Sequence, residues 1–301
     1  MLCTWQETRF STLMMFTSQR PVNMGRLNAV AALAYVAMAV RLAESLAHSG
    51  KSLRVFTNDP DRLLMLAGAN AGLLTPALLE IDPVFPLHLR FYAAHHKLRV
   101  FERFSQETWP NCLLDLDMVL SKDGAAVEQM LEKPRAMEAW IYDISAQIFP
   151  AYSRQVVQQD LARLGAPNAF PLWYGGEFIL GIPSFFARLS AECNRLLPTY
   201  LSLCDSLHHV GDESIVSVAL NGLSHEFAIG EAGDAELVVR YWSGRTLHVQ
   251  PPAAVLRRCA FWHLPDMKWA LSRNALSRTP RQLTRAIRAR QLLMAMRPAR
   301  R

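Results

Sequence analysis

Short apolar runs alternate with longer Ala- and Leu-rich or amphipathic stretches over the first 120 residues. That rhythm predicts strands separated by helices. Phe10 to Thr17 has the length of a buried strand, and Leu27 to His48, stopped by Gly50, predicts a helix. Leu53 to Thr57 predicts a second strand closed by the turn Asn58-Asp59-Pro60. A helix from Asp61 to Gly68, a strand over Leu78 to Ile81 and a helix from Arg90 to Phe104 follow. Next comes Cys112 to Leu120, an apolar run broken only by Asp115 and Asp117. Such alternation implies a parallel sheet covered on both faces, with ligands at the carboxyl ends of its strands.

The second half is less regular. Gln155 to Leu164, Ser184 to Leu197 and Glu213 to Asn221 read as helices. Phe178 to Ile182 reads as a strand after a Gly175-Gly176 turn, and Leu237 to Tyr241 and Leu247 to Gln250 read as short strands. With no internal repeat and no low-complexity linker, residues 1–272 are expected to form one α/β domain, followed by an appendage over 273–301.

Charge separates those two parts. The chain carries 32 basic and 26 acidic residues, a formal +6, yet Arg273 to Arg301 holds nine Arg and no Asp, Glu or Lys. The body alone is mildly acidic. Leu283, Ala286, Ile287 and Met294 of the tail share a helical face beside Arg281, Arg285 and Arg288, a pattern that suits an anionic membrane surface or a solvated basic end. The tail lacks the aromatics that stack bases, so nucleic acid is not expected as a partner. The five cysteines are scattered without a C-x-x-C pair, and no signal-like segment opens the chain. The longest apolar stretch, Leu27 to Val40, falls short of the ~20 residues of a membrane span. A cytoplasmic setting is expected, with the inner membrane face as a peripheral location.

Asp115 and Asp117 are the first candidates for chemistry. On a strand, side chains at i and i+2 share a face, so both carboxylates would project together. Two anions so placed call for a divalent cation or a proton between them, and magnesium or manganese with substrate phosphates is the natural occupant. Alone, the pair also suits a turn cap beside a solvated carboxylate. His263 and Lys268, in Phe261-Trp-His-Leu-Pro-Asp-Met-Lys-Trp269, offer a third metal ligand and a point charge for a diphosphate. Asp212-Glu213 at a helix start suits dipole capping.

Together these segments resemble the nucleotide-sugar glycosyltransferases of family 8 and their relatives with the A-type fold. The resemblance rests on an apolar strand entering Asp115-x-Asp117 and on the late His263, Lys268 and Trp269. It extends to Lys97-Leu98, where the family has Arg-Leu, to Tyr174-Gly175-Gly176, and to Gly211-Asp212-Glu213. It implies a Rossmann-like mixed sheet flanked by helices. It further implies a metal site of Asp115, Asp117 and His263 holding Mn2+ or Mg2+. Thr17, Ser18, Lys97, Gly175, Gly176 and Lys268 would lie against a nucleotide-diphosphate sugar, with Asp212 and Glu213 as catalytic carboxylates. The acceptor would be a saccharide or a lipid-linked saccharide, and transfer would retain the anomeric configuration.

This sequence departs from the family pattern. Asp266 and the adjoining Lys268-Trp269 replace the glycine and proline near the late histidine, and Thr17, Ser18 and Gln19 stand where relatives carry an acidic residue. Two alternatives belong to other classes. One is a haloacid-dehalogenase-type phosphatase with Asp115 as nucleophile and Asp117 as acid/base. The other is a sugar-nucleotide-binding protein without turnover.

Overall fold

The structure, a computed structural model, describes residues 7–16, 31–121, 137–147, 153–242, 251–273 and 289. Its frame is a seven-stranded sheet. In spatial order the strands are β3 (Leu74–Leu78), β2 (Leu53–Thr57), β1 (Arg9–Leu13), β4 (Asn111–Leu114), β7 (Tyr174–Gly181), β6 (Ala139–Asp143) and β8 (Ile229–Glu231). The four strands from β3 to β4 are parallel, whereas β7 runs against both β4 and β6. The sheet is mixed, as the family resemblance implied, and not the all-parallel sheet implied by alternation alone. Apolar periodicity carries no strand direction.

A second sheet of three short strands, in the order β5 (Met118–Leu120), β10 (Phe261–His263) and β9 (Val238–Arg240), sits beside the first. β10 is antiparallel to β5 and parallel to β9. Helix α1 (Ala31–Ala47) buries Met38, Leu42 and Leu46 completely. α2 (Pro60–Ala67) starts with Asp59 accepting from the Arg62 backbone N–H and proline at its first turn, both favourable at a helix N-terminus. α3 (Tyr92–His95) and α4 (Lys97–Ser105) lead into β4, and α4 packs on the long α6 (Pro183–Leu203) through Phe101, Phe104 and Phe186. α5 (Arg154–Arg163) precedes β7. α7 (Asp212–Leu223), α8 (Ala253–Arg258) and α9 (Lys268–Ser272) complete the described helices.

Several local expectations shift. The third strand spans Leu74–Leu78 and contains Pro76; it lies at the sheet edge, where a missing N–H is tolerated. The single helix expected over 90–104 is two pieces, entered by Phe91 at a left-handed φ of 59° and joined at His96, where ψ is −7°. Gly175 and Gly176 are not a turn but the second and third residues of β7. The strand expected at Leu247 to Gln250, the residues Thr17 and Ser18, and the basic tail except Arg273 and residue 289 lie outside the described residues.

Candidate metal centre and its charged surround

From β1 the chain builds outward through β2 to β3, then crosses to place β4 on the other side of β1. Such a switch point opens a crevice at the carboxyl ends of the strands. Asp115 is the first residue beyond β4. It is not part of a strand. Asp115 to Met118 form a turn in which the Met118 N–H donates to the Asp115 carbonyl at 3.2 Å, carrying the chain from the large sheet into β5. The two carboxylates converge because a turn joins two sheets, not through strand alternation.

Each sheet fixes its own aspartate. The Asp115 N–H donates to the Glu177 carbonyl on β7 at 3.0 Å, extending the β4–β7 ladder by one residue. The Asp117 carbonyl accepts from the Leu264 N–H at 2.9 Å, extending the small sheet. That sheet brings in His263, whose Nε2 lies 3.2 Å from Asp117 Oδ1, while Lys268 Nζ is 3.2 Å from Asp117 Oδ2. One ligand atom from each of Asp115, Asp117 and His263 lies within 4.8 Å of the others. Two carboxylate oxygens and an imidazole nitrogen are a fitting donor set for manganese or magnesium.

The surround is densely charged. His263 Nδ1 lies 3.0 Å from Glu177 Oε1, and Arg240 makes a two-pronged bond to the same carboxylate through Nε (2.8 Å) and Nη2 (2.7 Å). His263 and Arg240 are register partners in β10 and β9, so both side chains leave the small sheet on one face and meet Glu177. Arg240 Nη2 also reaches Glu213 Oε1 at 3.3 Å, and Glu213 Oε2 lies 3.2 Å from His209 Nε2. On the other flank, Lys97 Nζ bridges Asp115 (2.7 Å) and Asp212 (3.0 Å) and donates to the Gly176 carbonyl (2.9 Å). Five carboxylates thus share three permanent cations, Lys97, Arg240 and Lys268.

Burial and neighbours set the protonation of these groups. Burial opposes the charged form of Asp117, but Lys268 and His263 outweigh it and hold the carboxyl well below the usual range. For Asp115 burial prevails over Lys97, and the pKa rises. Burial works against an imidazolium at His263, yet Asp117 and Glu177 lift it to about 9. Glu177, with no exposure, is kept ionised against its burial by Arg240 and His263.

The two glycines of β7 admit this network. A Cβ on Gly175 would stand 2.0 Å from Glu177 Oε2 and 3.0 Å from Arg240 Nη2. One on Gly176 would stand 2.7 Å from Asp212 Oδ2 and 3.1 Å from Lys97 Nζ. The space beside both glycines is filled by the protein's own charges.

Asp115, Asp117, His263, Lys268, Lys97, Gly175, Gly176, Asp212 and Glu213 are therefore joined in one cluster. Three members had not been singled out: Glu177, Arg240 and His209. Glu177 and Arg240 each carried a readable signal, a charge inside or ending a fully apolar run (Phe178 to Leu180 follow the first, Leu237 to Val239 precede the second), which requires a buried partner. His209 carried none. Asp117 is engaged by both His263 and Lys268, so the late segment belongs to the same cluster as the two aspartates.

No family model matches the chain, and no curated protein matches it in sequence. Solved structures do. The galactosyltransferase LgtC in complex with donor and acceptor sugar analogs matches with a TM-score of 0.53 and 10% identity, covering 97% of this chain and 98% of that one. An active-site mutant of LgtC matches with a TM-score of 0.50 and 12% identity, covering 85% of this chain and 86% of that one. The chain has the A-type glycosyltransferase fold, in agreement with its resemblance to family 8 enzymes.

Proposed function

We propose that this chain is a metal-dependent glycosyltransferase that moves a sugar from a nucleotide-diphosphate donor to an acceptor hydroxyl with retention of configuration. The observation that carries the proposal is the convergence of Asp115, Asp117 and His263 at the switch-point edge of the sheet. The fold adds support, since a protein that shares it was crystallised with donor and acceptor sugar analogs.

Asp115, Asp117 and His263 would hold Mn2+ or Mg2+, which when bound neutralises charge on the departing diphosphate. Lys268, 24% exposed at its side chain, adds a cation on the same side for the phosphates. Lys97 ties Asp115 to Asp212, so one cation links the metal side to the start of α7. Glu213 is engaged by Arg240, His209 and the Gly176 N–H, and Asp212 by Lys97; from the start of α7 these carboxylates would meet a sugar hydroxyl. Thr17 and Ser18, which follow the chain segment leaving β1, are assigned to the nucleotide.

The direct test is a thermal-shift screen of nucleotide sugars with and without Mn2+, because a ligand that binds the native state raises the melting temperature. The proposal expects one donor class to stabilise the protein only with metal present. A complete screen with no metal-dependent shift would overturn it. The acceptor is proposed to be lipid-linked and reached at an anionic membrane surface through the basic tail. No helix among the described residues is long and apolar enough to cross a membrane. Co-sedimentation with anionic vesicles should require residues 273–301 and weaken at high salt, each Arg near the surface contributing about 1 kcal/mol. Equal pelleting of full-length and truncated protein would remove the tail from the proposal.

A further inference from the structure

Glu177 is a carboxylate without solvent exposure in the middle of a strand whose eight residues are all buried. An ion in that position is expensive unless every oxygen is used. Both are. Oε2 faces Arg240 Nη2, and Oε1 faces Arg240 Nε and His263 Nδ1. Arg240 has no slack to drift, since its backbone sits in β9, its N–H donates to the Tyr142 hydroxyl, and Nη2 also reaches Glu213. Glu177 is therefore fixed by covalent membership of the large sheet and by a two-pronged guanidinium from the small one.

The ring of His263 has two nitrogens with different tasks. Nδ1 points back to Glu177, and Nε2 points forward to Asp117, the side on which Asp115 also lies. We infer that Glu177 is a positioning residue for the metal ligand His263: by accepting the Nδ1–H it holds the ring with Nε2 turned toward Asp115 and Asp117, where Nε2 would ligate in place of its contact with Asp117. A ligating imidazole commonly donates its other N–H to a carboxylate, and loss of that partner weakens metal binding by roughly 10- to 100-fold. The inference rests on the proposed metal site and adds the device that prepares it. Arg240 extends the device, because the guanidinium that secures Glu177 also contacts Glu213 on α7. The ligand histidine and the helix that carries Asp212 are thereby braced on one cation.

The test is Mn2+ affinity of the full-length protein, measured by calorimetry without any sugar donor, for wild type and Glu177→Gln. A second variant pairs Glu177→Leu with Arg240→Met, which removes both charges together and avoids an orphaned guanidinium. Circular dichroism first establishes which variants fold. The inference expects at least tenfold weaker Mn2+ binding in a folded variant. It also expects 15N spectra of the Mg2+-loaded protein to lose the single Nδ1–H form of His263, and Glu177→Asp to recover part of the affinity. Affinity within twofold of wild type in the folded variants, with the Nδ1–H form intact, would overturn the role of Glu177 and leave the metal site standing. Absence of Mn2+ binding by the wild type would overturn the metal site itself.

Discussion

Asp115 and Asp117 stand two residues apart yet belong to different regions of the molecule. Asp115 continues the large sheet, is 30% exposed at its side chain, and shares Lys97 with Asp212. Asp117 continues the small sheet, is 5% exposed, and holds two cationic partners of its own, His263 and Lys268. Their pKa values move in opposite directions for that reason: at Asp115 burial, together with the charge of Asp117, outweighs a Lys97 shared with Asp212, whereas at Asp117 the two cations outweigh burial. The comparison teaches that a D-x-D element need not be two equal ligands. One carboxylate is firmly anionic, and the other faces the opening.

The largest separation between the two regions should appear on removing each carboxylate. Both Asp117→Asn and Asp115→Asn are expected to lower metal-dependent transfer about a thousandfold, the equivalent of about 4 kcal/mol of transition-state stabilisation. Stability should divide them. Asp117→Asn takes the carboxylate partner from a half-buried Lys268 and leaves a buried His263 with Glu177 alone, and should cost about 3 kcal/mol, whereas Asp115→Asn leaves Lys97 with Asp212 and should cost about 1 kcal/mol. Urea unfolding of both variants measures this, and equal losses would dissolve the distinction.

The glycines of β7 sharpen the comparison, one for each side. Gly175→Ala pushes on Glu177 and Arg240 and so disturbs the small-sheet side; Gly176→Ala pushes on Asp212 and Lys97 on the large-sheet side. Costs of about 2 and about 1 kcal/mol are expected, from the severity of each overlap. Mn2+ affinity should fall further in Gly175→Ala, because displacing Glu177 releases His263. The reverse order of affinities would mean that Lys97, not Glu177, governs the metal.

A smaller effect concerns acid. Burial works against an ionised Glu213, but its hydrogen bond with His209 and the charge of Arg240 lower the pKa from 4.5 to about 2. A depressed folded value means that this carboxylate contributes stability above pH 4.5, and that the contribution is lost as pH falls through about 2. Glu213→Gln should therefore flatten the decline of the melting temperature over that window. Acid limbs of unchanged steepness would place the coupling elsewhere.

Much of this arrangement was legible in residue patterning, and the misses have physical reasons. β2 and the helices α1, α2, α5 and α7 fall within a few residues of their apolar runs and stop signals. β3 is displaced because Leu73 to Ile81 is apolar almost throughout, so nothing in the run marks which part pairs with β2. The turn at Asp115 was concealed in the same way: apolar residues continue on both sides of it, although they belong to two sheets. Those site residues named from the resemblance that lie among the described residues gather at one edge, but sequence alone did not reveal what gathers them. That depends on Glu177 and Arg240, which lie 63 positions apart and meet only across the sheets.

The burial of Glu177 also orders events in time. As the chain is synthesised, β4 and β7 are complete long before Arg240 and His263 emerge. Until they arrive, β7 would have to enclose an unpartnered carboxylate, a cost of several kcal/mol. The centre of the large sheet is therefore expected to close less firmly on its N-terminal portion alone than after β9 and β10 have docked. A nascent or truncated chain ending before residue 240 should remain loosely packed around β7 and prone to capture by chaperones or proteases. Quality control of the fold and readiness of the proposed metal centre are thereby vested in the same late-arriving pair of side chains.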